Sequence, residues 1–161
     1  MKFKLFSLII LSIIFSCKNE KLKKVSNDDY KRWDELEIET RYQTLTIFKF
    51  SDSAEFINVK YDKGIYEIPP KYNNKKIEKK VILFTKQERD SLSKYIFQSV
   101  IKPSFTNTSA TDYVGNVSLK FKRHNMNLIC EYYSVGDWTE ISEETKKIFN
   151  IINSKVEISK Q

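Results

Sequence analysis

The sequence predicts an α+β domain: an antiparallel or mixed sheet of about six strands with two helices packed on one face. Three observations carry this expectation. Apolar residues alternate with polar ones along much of 33–68 and again over 117–121. Two later segments show helical spacing behind capping residues. The order that results is β-β-β-β-α-β-β-α.

The first strand region begins at Trp33. Leu36, Ile38, Thr40 and Tyr42 share one parity, Leu45 and Ile47 take the other, and Phe48 and Phe50 return to the first. Such slips predict a bulge or break near Gln43-Thr44, because a one-residue shift moves every side chain to the opposite face. After the turn signal "SDS", the run "AEFINVKY" reads as a strand, "DKG" as a tight turn and "IYEI" as a further strand ended by Pro69-Pro70. The stretch "KYNNKKIEKK" reads as a lysine-rich loop or exposed edge, and "VILF" at 81–84 as a short apolar strand.

The first helix starts at "TKQE", where Thr85 and Glu88 match a capping box. Leu92, Tyr95, Ile96, Ser99 and Val100 then fall on one face, and Pro103 stops the run. A polar loop, "SFTNTSATD", leads to a hairpin with Val117, Leu119 and Phe121 on its first arm and "KRHNMN" as its turn. "LICEYYSV" has apolar residues on both parities, which predicts a central strand covered on both sides. Ser142 caps the last helix, with Glu143 and Glu144 in the first turn, where the helix dipole favours anions. Ile148, Phe149, Ile151, Ile152 and Val156 form its apolar stripe, and "VEIS" is expected as a short final strand.

Composition excludes several function classes. Three glycines, Gly64, Gly115 and Gly136, lie far apart, so no phosphate-cradling G-x-G-x-x-G or G-x-x-x-x-G-K loop can be written. No G-x-S-x-G nucleophile elbow is present either. With one histidine and two cysteines, a zinc site would need mostly carboxylates, which suit zinc poorly. The acids Asp137, Glu140, Glu143 and Glu144 cluster at a helix start without calcium-loop spacing. No cofactor and no metal is therefore expected. His124 and Cys130 sit on opposite arms of the hairpin and form the one conceivable base–nucleophile pair, although no orienting third group accompanies them. Trp138 is read as a core residue, with a partner-binding anchor as its alternative.

The opening residues hold the most specific signal. Lys2 and Lys4 precede an almost wholly apolar run, Leu5 to Phe15. That run is too short to span a bilayer, which needs about 20 apolar residues, and it fits the core of an export signal. It ends at Ser16-Cys17 and turns polar at Lys18, Asn19 and Glu20. The motif "IFSC" resembles the lipobox of bacterial lipoproteins, with Ile14 and Phe15 departing from the commonest residues. The resemblance implies cleavage between Ser16 and Cys17, a diacylglycerol thioether on Cys17, and acylation of the new amine. It covers about the first 20 residues and says nothing of the domain beyond. Residues 1–16 are then a signal peptide, 17–29 a lipidated polar tether, and 30–161 a single globular domain. Loss of Lys2 and Lys4 lowers the net charge from +7 to +5.

These features predict an exported protein of the bacterial cell envelope, held by fatty acyl chains on Cys17. By resemblance to lipoprotein sorting rules, Lys18 implies the periplasmic face of the outer membrane. The expected role is a non-enzymatic binding module for another envelope component or an incoming protein, as an immunity-like lipoprotein would be. One alternative is a membrane-tethered thiol enzyme or hydrolase using Cys130 and His124. A second is a structural or anionic-lipid-binding module using Lys75, Lys76, Lys79 and Lys80. Export argues against nucleic acid as a partner, despite the basic charge. Trp138 joins the four lysines as a candidate contact residue.

Overall fold

The computed structural model describes Ser26 and residues 28–61, 75–104 and 115–161. After a 3-10 turn at Asp29–Lys31, the elements run β1 (Glu35–Glu39), β2 (Gln43–Phe48), β3 (Ser53–Tyr61), β4 (Lys75–Leu83), α1 (Lys86–Ile101), β5 (Gly115–Arg123) and β6 (Met126–Val135). A 3-10 turn at Trp138–Glu140 and helix α2 (Glu143–Asn153) follow. The six strands form one sheet in the order β4-β3-β2-β1-β5-β6, antiparallel at every pairing. The class is the predicted α+β.

The parity slip before Leu45 marks a chain reversal. The Thr40 N–H donates to the Gln43 carbonyl at 2.8 Å, closing a turn between β1 and β2. Leu36 then lies opposite Ile47 and Ile38 opposite Leu45, so all four face one side and are fully buried. On β5, Leu119 and Phe121 continue the same rows. Helix α1 covers this side, with Leu92 and Ile96 buried and the Phe97 ring 5.0 Å from that of Phe121. Helix α2 packs beside α1 and adds Ile148 and Ile152 to the core.

Both helix starts are fixed locally. The Glu88 N–H donates to the Thr85 hydroxyl and the Thr85 N–H to the Glu88 carboxylate, the predicted capping box. Ser142 makes the equivalent exchange with Thr145. Lys155 bridges to Glu88 at 3.0 Å, tying the segment after α2 to the start of α1. The buried Arg89 reaches back to the Phe84 carbonyl and to Asp52, which fixes the start of α1 against the turn between β2 and β3.

Of the two readings of the lysine-rich stretch, the exposed edge holds: Lys75–Leu83 is one nine-residue strand at the sheet edge, where exposed side chains cost little. Three other expectations are corrected or left aside. The strand from Met126 to Val135 is the opposite edge rather than a central strand. Cys130, Tyr132 and Val135 are buried there, while Ile129 and Tyr133 are exposed. "VEIS" is not a strand. It lies as irregular chain beside Gln43, whose side-chain oxygen accepts from the Ser159 N–H at 2.6 Å. The expected strand "IYEI" falls outside the described residues. Gly115 is required by a close approach: a Cβ there would lie 2.2 Å from the Gln161 carbonyl carbon.

The one-sided burial makes a direct prediction. Ile38→Ala should lower stability by about 2–5 kcal/mol, the usual cost of truncating a sealed core aliphatic. Val81→Ala, on the open side, should stay within about 0.5 kcal/mol. Urea midpoints of the two variants test this.

Candidate functional site

Strand alternation leaves the face opposite the helices without a covering layer among the described residues. Its centre is a charge ladder. β1 places Glu35, Glu37 and Glu39 on this side, and β5 sets Lys122 opposite Glu35 and Lys120 opposite Glu37. Lys120 Nζ lies 2.6 Å from Glu37 and 2.9 Å from Glu39, while Lys122 Nζ lies 2.5 Å from Glu35 and 2.9 Å from Glu37. Each lysine bridges its cross-strand partner and the next carboxylate along. Burial alone would raise the Glu37 pKa, but hydrogen bonds from Lys120 and Lys122 outweigh it and hold the carboxyl below its ordinary value. Hydrogen bonds to Glu37 and Glu39 hold the Lys120 ammonium above its ordinary value. A lysine so stabilised as a cation is no nucleophile or base at neutral pH.

Beside the ladder lies a cleft of about 350 Å³, bordered by Glu39, Thr40, Arg41, Asn116, Ser118, Glu131 and Tyr133. Glu39, Ser118 and Glu131 are aligned across β1, β5 and β6, so the small Ser118 leaves a notch between two carboxylates. The Tyr133 hydroxyl donates to Glu131, and the Arg41 guanidinium sits 4.9 Å from the centre of the Tyr42 ring. The buried Ser118 hydroxyl has no partner among the described residues. The lining offers charge and hydrogen bonds to a polar ligand. It offers no nucleophile held by a base.

The four predicted lysines all lie on β4, yet strand alternation divides them. Lys75 and Lys79 share the open face with Ile77, Val81 and Leu83, which are 52%, 69% and 67% exposed. Lys76 and Lys80 point to the helix side with Glu78, which pairs with Lys60 at 2.9 Å and lies 3.7 Å from Lys76. The open-face row continues onto β3 through Ile57 and Val59, opposite Lys79 and Ile77.

Trp138 is wholly buried. Its Nε1 donates to the Ser159 carbonyl at 2.8 Å, and its ring meets that of Phe149 edge-on at 5.7 Å. A ring with no exposed face offers nothing to a partner, so Trp138 leaves the set of contact residues. His124 and Cys130 are not brought together. His124 is an exposed turn residue with φ 47°, its Nδ1 3.4 Å from Asp34, while Cys130 pairs with Leu119 well along the strand. Four residues separate Cys130 from Met126 at the hairpin end, a distance of about 13 Å along a strand. Burial also pushes the Cys130 thiol above its ordinary pKa, which disfavours the reactive thiolate. Ser16 and Cys17 lie outside the described residues.

Among the described residues no three His, Cys, Asp or Glu side chains gather as metal ligands, and no helix is long and apolar enough to cross a membrane. No protein-family model, curated protein or solved structure matches this chain. The cleft was missed by sequence reasoning because its residues come from three strands and form no motif. The alternation "ELEIE" was the one available signal for the carboxylate row.

Two measurements follow. A depressed carboxyl pKa contributes stability that is complete above the ordinary value of 4.5 and is lost as pH falls through the lower folded value. Glu37→Gln should therefore flatten the acid limb of the stability profile below about pH 4.5, read as urea midpoint against pH. Native Cys130 should react with a soluble disulfide reagent at neutral pH only as fast as the domain opens, and stoichiometrically once it is unfolded.

Proposed function

We propose that this chain is a lipid-anchored protein of the bacterial cell envelope whose folded domain works by binding rather than by catalysis. The single observation that carries the reading is the opening sequence: two lysines, an apolar run of export-signal length, Ser16-Cys17, and an immediate polar turn at "KNE". Acylation of Cys17 with two or three chains would make release from the membrane negligible, because each buried methylene contributes about 0.8 kcal/mol and a single chain holds only marginally. Lys18 favours the outer membrane, facing the periplasm. Binding is favoured over catalysis by the state of the polar groups. Lys120 and Lys122 in the ladder are neutralised by carboxylates, the thiol is buried, and the histidine stands apart from it. The cleft bordered by Arg41, Glu39 and Glu131 is the place where a soluble envelope component would be held.

Cys17→Ala should abolish incorporation of a radiolabelled fatty acid and leave the protein with residues 1–16 attached. Labelling equal to wild type, or a native mass with an unmodified sulfur at Cys17, would overturn the anchoring.

A further inference from the structure

The β3–β4 margin of the open face has a composition unlike the rest of that face. Along β4 the open-face row reads Lys75, Ile77, Lys79, Val81, Leu83, two cations among three exposed aliphatics. The strand carries four lysines and one glutamate, a net +3. The ladder on β1 and β5, by contrast, pairs its charges internally. We propose that this margin rests on an anionic membrane surface, with Ile77, Val81 and Leu83 entering the headgroup region and the lysines meeting lipid phosphates.

Three features favour a lipid surface over a protein strand added to the edge. First, the lysines project to both sides of the sheet, with Lys76 and Lys80 opposite in direction to Lys75 and Lys79. A docked strand would need matching acids on both of its faces and in register, whereas a fluid lipid surface needs no register. Lysines at an edge also oppose strand addition. Second, lysine is suited to such an interface, since its aliphatic stem lies along apolar surface while its ammonium reaches the headgroups. Third, the tether keeps the margin within range. Cys17 and Asp28 are eleven residues apart, at most about 36–40 Å of chain. The domain begins at the sheet end that holds Leu83: the Lys49 N–H donates to the Asp34 carbonyl at 3.0 Å, just before the turn that leads to Ser53, the partner of Leu83. A weak surface contact then acts at a high effective concentration. In this last respect the proposal rests on the anchoring of Cys17.

The test uses the mature lipoprotein, purified from membranes and reconstituted into vesicles. Cysteines introduced by Val81→Cys, Leu83→Cys and, at the far margin, Tyr133→Cys would each carry an environment-sensitive fluorophore. Cys130 is buried, so labelling of the folded protein is selective. In vesicles containing phosphatidylglycerol and brominated lipid, quenching at positions 81 and 83 should exceed that at 133 several-fold. The excess should shrink in pure phosphatidylcholine or in about 1 M salt, where the screening length is about 3 Å. With lipid on Cys17 confirmed by intact mass, equal quenching at all three positions would overturn the docking alone. An unmodified Cys17 would overturn the anchoring and the docking with it. Photocrosslinking from position 81 in intact cells that attaches a protein rather than lipid would replace the membrane with a protein partner and also overturn the proposal.

Discussion

Leu36 and Ile38 can be buried only if Glu35, Glu37 and Glu39 stay on the opposite side of the same strand. β1 lies between β2 and β5 near the middle of the sheet, so its register is transmitted both ways. A one-residue slip would drive three carboxylates into the helix-covered core, at several kcal/mol for each ion. The ladder alone does not select among slips of two residues, because acids recur at that spacing on β1 and Lys120 would still meet one. The tight turn at Thr40–Gln43 and the packing of Phe121 against Phe97 supply that finer choice. Charge thus decides which face is inside, while packing and turn geometry decide the alignment along it.

From this follows the asymmetry of the molecule. One face is sealed by two capped helices and by Trp138 over Phe149. The other has no covering layer among the described residues, and its polar groups are largely satisfied by one another. In the ladder, Glu37 is held as a carboxylate and Lys120 and Lys122 as ammonium ions by their mutual hydrogen bonds. The face is well suited to contact. Ile77, Val81 and Leu83 and the surplus lysines fall on the β4 side, and the cleft with its acids and arginine falls toward β6, where Ile129 and Tyr133 are exposed.

Much of the fold was legible because its signals are local. "TKQE" specifies a helix start within four residues, and the parity slip before Leu45 marks a reversal. Trp138 fits the core for its size alone. The misreadings share a cause: periodicity reports which residues are apolar and not whether anything covers them. "LICEYYSV" looked central because Ile129 and Tyr133 add apolar residues to its second parity, yet both lie exposed on an edge strand. "KKIEKK" left loop and exposed edge both open because lysine is a poor strand former, a handicap that an unburied edge does not impose. The cleft was illegible in principle, since Glu39, Ser118 and Glu131 become neighbours only through the pairing of three strands. The proposed anchoring motif has the opposite character: it is carried by the opening sequence alone.

The two halves of the open face are nominally one surface, but a sheet is not flat. Neighbouring strands turn by about 20–25°, so the five pairings from β4 to β6 rotate the face by roughly 100°. A margin laid on a membrane at β4 would leave the β6 margin tilted away from it, toward water. An acyl anchor on a tether limits the distance of a domain from the bilayer and leaves its rotation free. A second contact at β4 would remove that rotation, and the twist would then hold the cleft at Glu39, Arg41 and Glu131 open to the aqueous side. In this arrangement the basic strand and the acidic notch are complementary parts of one device, the first setting the orientation in which the second can be reached.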